Sequence, residues 1–122
     1  MHRTIRIGVV GPCAAGKTTL IEELLNQGYD AKQIAQEHSY VQDMWLRISN
    51  PDFLIFLDVS YANSKKRKKL NWTEREFEIQ NARLSHAQNH ANLYINTDGI
   101  TPQQVLAKVL EVLKNIGRLD NN

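Results

Sequence analysis

The run Gly11-Pro12-Cys13-Ala14-Ala15-Gly16-Lys17-Thr18 matches the spacing G-x-x-x-x-G-K-[ST] at every fixed position. Its residue types suit an anion. Gly11 and Gly16 permit backbone angles that let successive N–H groups turn inward. Cys13, Ala14 and Ala15 are small enough for phosphate oxygens to approach the main chain. A helix opening at the end of the run would add unpaired first-turn N–H groups and the positive end of its dipole. Lys17 would extend over the loop to the outer phosphates, and Thr18 would offer its hydroxyl to Mg²⁺. Thr19 would lie near the innermost phosphate. A glycine-containing turn with no ligand can also meet this spacing, so the flanking elements decide its weight. Cys13 reads as a small loop filler in preference to a redox thiol.

Those flanks have the required character. Ile5 to Val10 is short, apolar and β-branched, and reads as a buried strand. Beyond the loop, Leu20, Ile21, Leu24 and Leu25 share one helical face, and Gly28 stops that helix. Ala31, Ile34 and Ala35 suit a short second strand between Asp30 and Gln36. Ser39 with Gln42 forms a possible capping box for a helix whose face carries Val41, Met44, Trp45 and Ile48. That stripe is expected to pack in the core. Phe53 to Leu57 is apolar at every position and ends in Asp58, as suits a strand covered on both faces. Thr73 with Glu76 starts a helix running through Phe77 and Leu84. Leu93 to Ile95 is a last short strand. Thr101-Pro102 with Gln104 opens a closing helix that buries Val105, Leu106, Val109, Leu110, Leu113 and Ile116 and ends at Gly117. The tail Asp120-Asn121-Asn122 is expected to fray.

Strands alternating with helices predict an α/β fold: a small, mostly parallel sheet of about four or five strands with helices on both faces. The 122 residues suit a single nucleotide-binding domain over 1–122. A 42% hydrophobic and 23% charged composition is that of an ordinary globular chain. The net charge of +2 is too small to argue by itself for nucleic acid or membrane. Cys13 stands alone, so no intrachain disulfide can form. No signal-peptide pattern and no membrane-length apolar run is present, which makes a cytoplasmic location the expectation.

At the loop and its flanks the chain resembles the P-loop NTPases, and within them the nucleoside- and nucleotide-kinase-like group. Pro51-Asp52-Phe53-Leu54-Ile55-Phe56-Leu57-Asp58-Val59-Ser60 looks like the "PD-apolar-LDV" strand found late in such kinases. Tyr94-Ile95-Asn96-Thr97-Asp98, followed by Thr101-Pro102, looks like their final strand and helix. The resemblance implies that Arg67 is a phosphate-binding arginine of the lid helix and that Arg83 is a second one. Lys17, Arg67 and Arg83 are then the candidate catalytic residues. The chain departs from the group in length. The interval where the group usually carries an acidic strand end holds only Gln36-Glu37-His38-Ser39 and one short helix.

The loop's partners are less determined by sequence. An acid at a neighbouring strand end usually supports Mg²⁺ beside such a loop. Asp58 and Glu37 compete for that role, with Asp43 a weaker third. Asp58 can equally be a strand-end carboxylate capping the next turn. Lys65-Lys66-Arg67-Lys68-Lys69 is a solvated helix face, a cationic lid over the triphosphate, or a patch for nucleic acid or acidic lipid. Arg83 can alternatively pair with Glu76 or Glu78, and Trp72 with Arg75 can stack a base or pack on the surface. His38, His86 and His90 show no metal-ligand spacing with acidic or Cys partners and read as surface or core residues.

The expected function is Mg²⁺-dependent binding of a nucleoside triphosphate by a small kinase-like phosphotransferase or an NTPase, with a small molecule or water as acceptor. No Asn-Lys-x-Asp guanine signature is present, so ATP is expected, with GTP open. The alternative is a non-catalytic nucleotide or phosphate binding module that contacts nucleic acid through residues 65–69.

Overall fold

A computed structural model describes residues 5–68 and 73–120, with the backbone alone for Lys68 and residues 118–120. Lys69, Trp72 and the end of the tail, Asn121-Asn122, lie outside the described residues.

The elements follow the alternation. They are β1 (Arg6–Val10), α1 (Lys17–Asn26), β2 (Asp30–Gln33), β3 (Phe53–Asp58), α2 (Tyr61–Lys68), α3 (Glu74–His90), β4 (Leu93–Asn96) and α4 (Pro102–Asp120). A 3₁₀ turn, Gln36–His38, and a π-type turn, Trp45–Ser49, lie between β2 and β3. The strands form one four-stranded sheet in the order β2-β1-β3-β4, and every pairing is parallel. The fold is thus a small α/β fold with a parallel sheet, as the sequence leads one to expect.

The continuous apolar runs of β1 and β3 occupy the centre, where both faces of a strand are covered. Alternation sorts them between two cores. Ile7, Val9, Phe53, Ile55 and Leu57 pack with Leu20 and Leu24 of α1 and Val105, Val109 and Leu113 of α4. Val10, Leu54 and Phe56 pack on the other face with Trp45 and with Leu84 and Ala87 of α3. Edge strands β2 and β4 bury one residue each, Ala31 and Ile95. Gly28, at φ +89, ends α1 in the left-handed region as the sequence suggests.

Four local expectations fail. No α-helix starts at Ser39, and only the π-type turn Trp45–Ser49 forms beyond it, before β3: the Ser39 hydroxyl bonds Val41 N–H at 3.2 Å, while the Gln42 amide reaches Ala82 O at 2.7 Å and His86 N–H at 3.2 Å. Tertiary contacts to α3 thus outcompete the local capping box. The expected buried stripe dissolves with it: Trp45 is buried, but Ile48 is 75% exposed. Leu25 is likewise 51% exposed, because α1 turns its narrower Leu20–Leu24 edge to the sheet. Helix α4 runs through Gly117 to Asp120. Among the described residues no helix is long and apolar enough to cross a membrane.

Candidate functional site

The loop joins the C-terminal end of β1 to the first turn of α1, and its glycines serve different purposes. Gly16 has φ +95 with open space around it, so only the backbone angle demands glycine. Gly11 has φ +153, and a Cβ there would stand 2.0 Å from the Leu57 carbonyl oxygen. The loop therefore lies directly against β3. Ala14 also takes a positive φ, 69°, in a loop that β3 and α1 hold in place. Helix α1 carries no side-chain cap and no acidic residue in its first turn. Its leading N–H groups are thus not supplied with a side-chain acceptor.

Lys17 is 6% exposed and folds back on the loop. Its ammonium donates to Gly11 O at 2.5 Å, Pro12 O at 3.2 Å and Glu37 Oε2 at 2.5 Å. Those bonds use all three N–H donors. Glu37 stands on the 3₁₀ turn just past β2, the strand paired with β1, and is 2% exposed. Its other oxygen, Oε1, is buried without a hydrogen-bond partner among the described residues. Such an oxygen costs about 1–3 kcal/mol. It marks the turn as a place where folding economy is sacrificed. A cavity of about 320 Å³ opens here, lined by Gly16, Lys17, Thr18, Thr19, Glu37 and His38 among others.

The far flank is saturated. Asp58 Oδ1 accepts the Val59 N–H at 2.9 Å, and Oδ2 accepts the Tyr94 hydroxyl at 2.5 Å. Both oxygens thus serve the strand end. Burial pushes the Tyr94 phenol up to about 12, reinforced by its bond to Asp58. Asp43 is elsewhere, bonded to Arg47 at 3.0 Å on the adjoining helical turn. The bond to Arg47 holds the Asp43 carboxyl below its usual range.

The two candidate arginines have separate positions. Arg67 reaches the loop: Nη1 donates to Ala14 O at 2.9 Å and Thr97 Oγ1 at 3.0 Å, and Nη2 to Thr97 O at 3.1 Å. It thereby ties α2 to the loop and to the end of β4. Beside it lies a mostly apolar cavity of about 220 Å³, bounded by Ala15, Thr19, Leu57, Ile100 and Val105. Asp98 stands near: burial opposes its charge, but the Asn63 side chain, the Ser60 N–H and Arg67 together hold its carboxyl below the usual range. Arg83 sits on the other side of the loop. It donates to the Glu37 carbonyl at 3.3 Å and lies 4.5 Å over the Tyr40 ring. The Glu76 side chain accepts instead from Thr73 Oγ1, closing the N-terminal box of α3. Lys65 and Lys66 are exposed.

Sequence reasoning missed two glutamines. Gln80 accepts the Cys13 N–H at 3.1 Å and donates to Cys13 Sγ at 3.2 Å, which fastens α3 to the loop. Gln36 is 1% exposed and joins Val41 O, Arg83 O and Trp45 N–H, which fixes the turn carrying Glu37. A signal existed for Gln80: with Phe77, Leu84 and Ala87 it forms the buried stripe of α3, where a polar side chain needs a partner. The reading of the histidines also changes. His86 accepts from Trp45 Nε1 at 3.0 Å and stacks on His90, but His38 converges with Cys13 and Glu37. Cys13 is distant in sequence, so local spacing could not reveal that group.

No protein-family model matches the chain, and no curated protein matches it either.

Proposed function

We propose that the chain binds a nucleoside triphosphate with Mg²⁺ at the Gly11–Thr18 loop and acts as a small kinase-like phosphotransferase or NTPase. The observation that carries this reading is the buried Lys17–Glu37 pair beside the open cavity, with Glu37 Oε1 unpartnered. Phosphate entering the cavity meets the uncapped start of α1 and competes with Glu37 for the Lys17 ammonium. Glu37 and the exposed Thr18 hydroxyl, both lining the cavity, supply the oxygen donors that Mg²⁺ prefers. Glu37, with a free oxygen beside the cavity, fits that role better than Asp58, whose two oxygens each accept a bond from the fold. A bound Mg²⁺ would neutralise phosphate charge as the outer phosphoryl group departs. The apolar cavity by Arg67 suits the base and sugar. ATP is the nucleotide of choice because no guanine signature is present.

One observation favours a second reading, a module that binds without transfer. Arg67 and Arg83 are each engaged with protein groups rather than directed over the loop. Calorimetric titration with ATP, with and without Mg²⁺, followed by phosphate-release and acceptor-labelling assays, separates the two. The enzyme reading expects Mg²⁺-dependent binding that Glu37→Gln and Thr18→Ala weaken at least about tenfold, and turnover above background. Binding without turnover would leave the module, and no nucleotide binding at all would sink both.

A further inference from the structure

The sulfur, carboxylate and imidazole gathered at the mouth of the loop are a donor set that Mg²⁺ does not call for. One ligand atom from each of Cys13, Glu37 and His38 lies within 4.8 Å of the other two. Bonds of about 2.0–2.3 Å in a tetrahedral zinc site place neighbouring donor atoms about 3.3–3.7 Å apart. The exposed His38 ring and the part-buried Cys13 side chain can close that difference by small rotations.

Each donor arrives prepared. Glu37 has one oxygen, Oε1, buried without a hydrogen-bond partner among the described residues, while Lys17 holds Oε2. Cys13 Sγ already receives a hydrogen bond from Gln80 Nε2 at 3.2 Å, the kind of outer contact that orients a ligand and steadies a thiolate. His38 follows Glu37 on the 3₁₀ turn, which Gln36 anchors from inside. Magnesium prefers an all-oxygen shell, whereas thiolate with imidazole suits Zn²⁺ and its neighbours in the transition series.

We propose that Cys13, Glu37 and His38 form a site for a divalent transition-metal ion of the Zn²⁺ class. Three protein ligands would leave a fourth position for water or a ligand, and all three residues line the cavity that Gly16 to Thr19 also line. On binding, the Cys13 S–H bond breaks, the proton leaves to solvent, and a metal–sulfur bond replaces it. Cys13 and His38 play no part in the nucleotide reading, but Glu37 does, so the two readings compete for its free oxygen.

Cobalt titration of the tag-free chain without nucleotide tests it. One equivalent of Co²⁺ is expected to give a thiolate-to-cobalt charge-transfer band and the strong visible bands of a four-coordinate ion, both lost on adding Zn²⁺. Cys13→Ala should abolish the charge-transfer band. His38→Ala should keep it and lower Zn²⁺ affinity at least about tenfold in competition with a chromophoric chelator. A chain that gives no thiolate band, or whose Zn²⁺ affinity neither substitution lowers, overturns the proposal. The first measurement needs no variant, so a misfolded variant cannot shield the idea. A chain that binds Mg²⁺ and ATP but shows no cobalt band loses only this site. One that shows the band but binds no nucleotide loses only the reading above.

Discussion

Glu37, on the turn past β2, and Asp58, the last residue of β3, flank the same loop from opposite sides, and both strands pair with β1. Glu37 is buried, faces a cation and keeps one oxygen without a partner. Asp58 has both oxygens taken, by the Val59 amide and the Tyr94 hydroxyl. Two carboxylates at like positions thus have unlike surroundings. What separates the two is local satisfaction: one carboxylate is spent on the fold, and the other is held at a cost beside a cavity. The neighbouring backbone agrees. Gly11 presses on Leu57 at the Asp58 flank, while the cavity of about 320 Å³ opens on the Glu37 flank.

Removing Lys17 should break this contrast with the largest effect. Lys17→Ala leaves the Glu37 carboxylate buried without its counter-charge, which costs about 3–5 kcal/mol. Urea unfolding measures it, and Glu37→Gln in the same background should restore most of the loss. Asp58→Asn, which keeps the shape and one acceptor, should cost only about 1 kcal/mol. A Lys17→Ala loss no larger than that would mean the pair is not closed in solution.

The two glycines sharpen the comparison next. Gly11→Ala forces a Cβ against the Leu57 carbonyl at an unfavourable φ, so a loss of about 2–4 kcal/mol is expected. Gly16→Ala meets no atom within 4 Å and bears only the backbone penalty, about 1 kcal/mol. Unfolding curves for the pair read the difference. Equal losses would show that the loop does not lean on β3.

Much of the scaffold was legible because it obeys local rules. The all-apolar Phe53–Leu57 run suited a covered strand and is one, and the loop's spacing sat between a strand and a helix as expected. Thr101 with Gln104 forms both reciprocal bonds, and the Thr73 hydroxyl accepts the Glu76 N–H and donates to the Glu76 carboxylate, at the places the sequence marks. Ser39 with Gln42 has the same spelling and a different outcome, because α3 offers Gln42 better partners at Ala82 and His86. The choice between Glu37 and Asp58 was hidden for a related reason. It depends on Tyr94 reaching back to Asp58 and on β2, not another strand, lying next to β1. Gln80 meeting Cys13 across 67 positions is likewise a product of packing that no spacing rule contains.

The smallest effect lies at the Asp58 flank and depends on pH. The Tyr94 phenol is raised from 10.0 to about 12, by burial first and by the Asp58 carboxylate second. A folded-state value above the unfolded one means stability that is full below about pH 10 and is lost as pH climbs toward 12. Tyr94 is 47% exposed, so solvent screening limits the contribution to about 1 kcal/mol or less. Unfolding free energies across that alkaline range should fall more steeply for the unsubstituted chain than for Tyr94→Phe. Asp58→Asn should bring the phenol back toward its ordinary value, read by tyrosinate absorbance, because the carboxylate that opposes ionisation is gone. The same substitution should leave any Mg²⁺ dependence of nucleotide binding in place. If that dependence instead vanished with Asp58→Asn and survived Glu37→Gln, the spare oxygen of Glu37 would be a structural cost only, and the roles assigned to the two strand ends would be reversed.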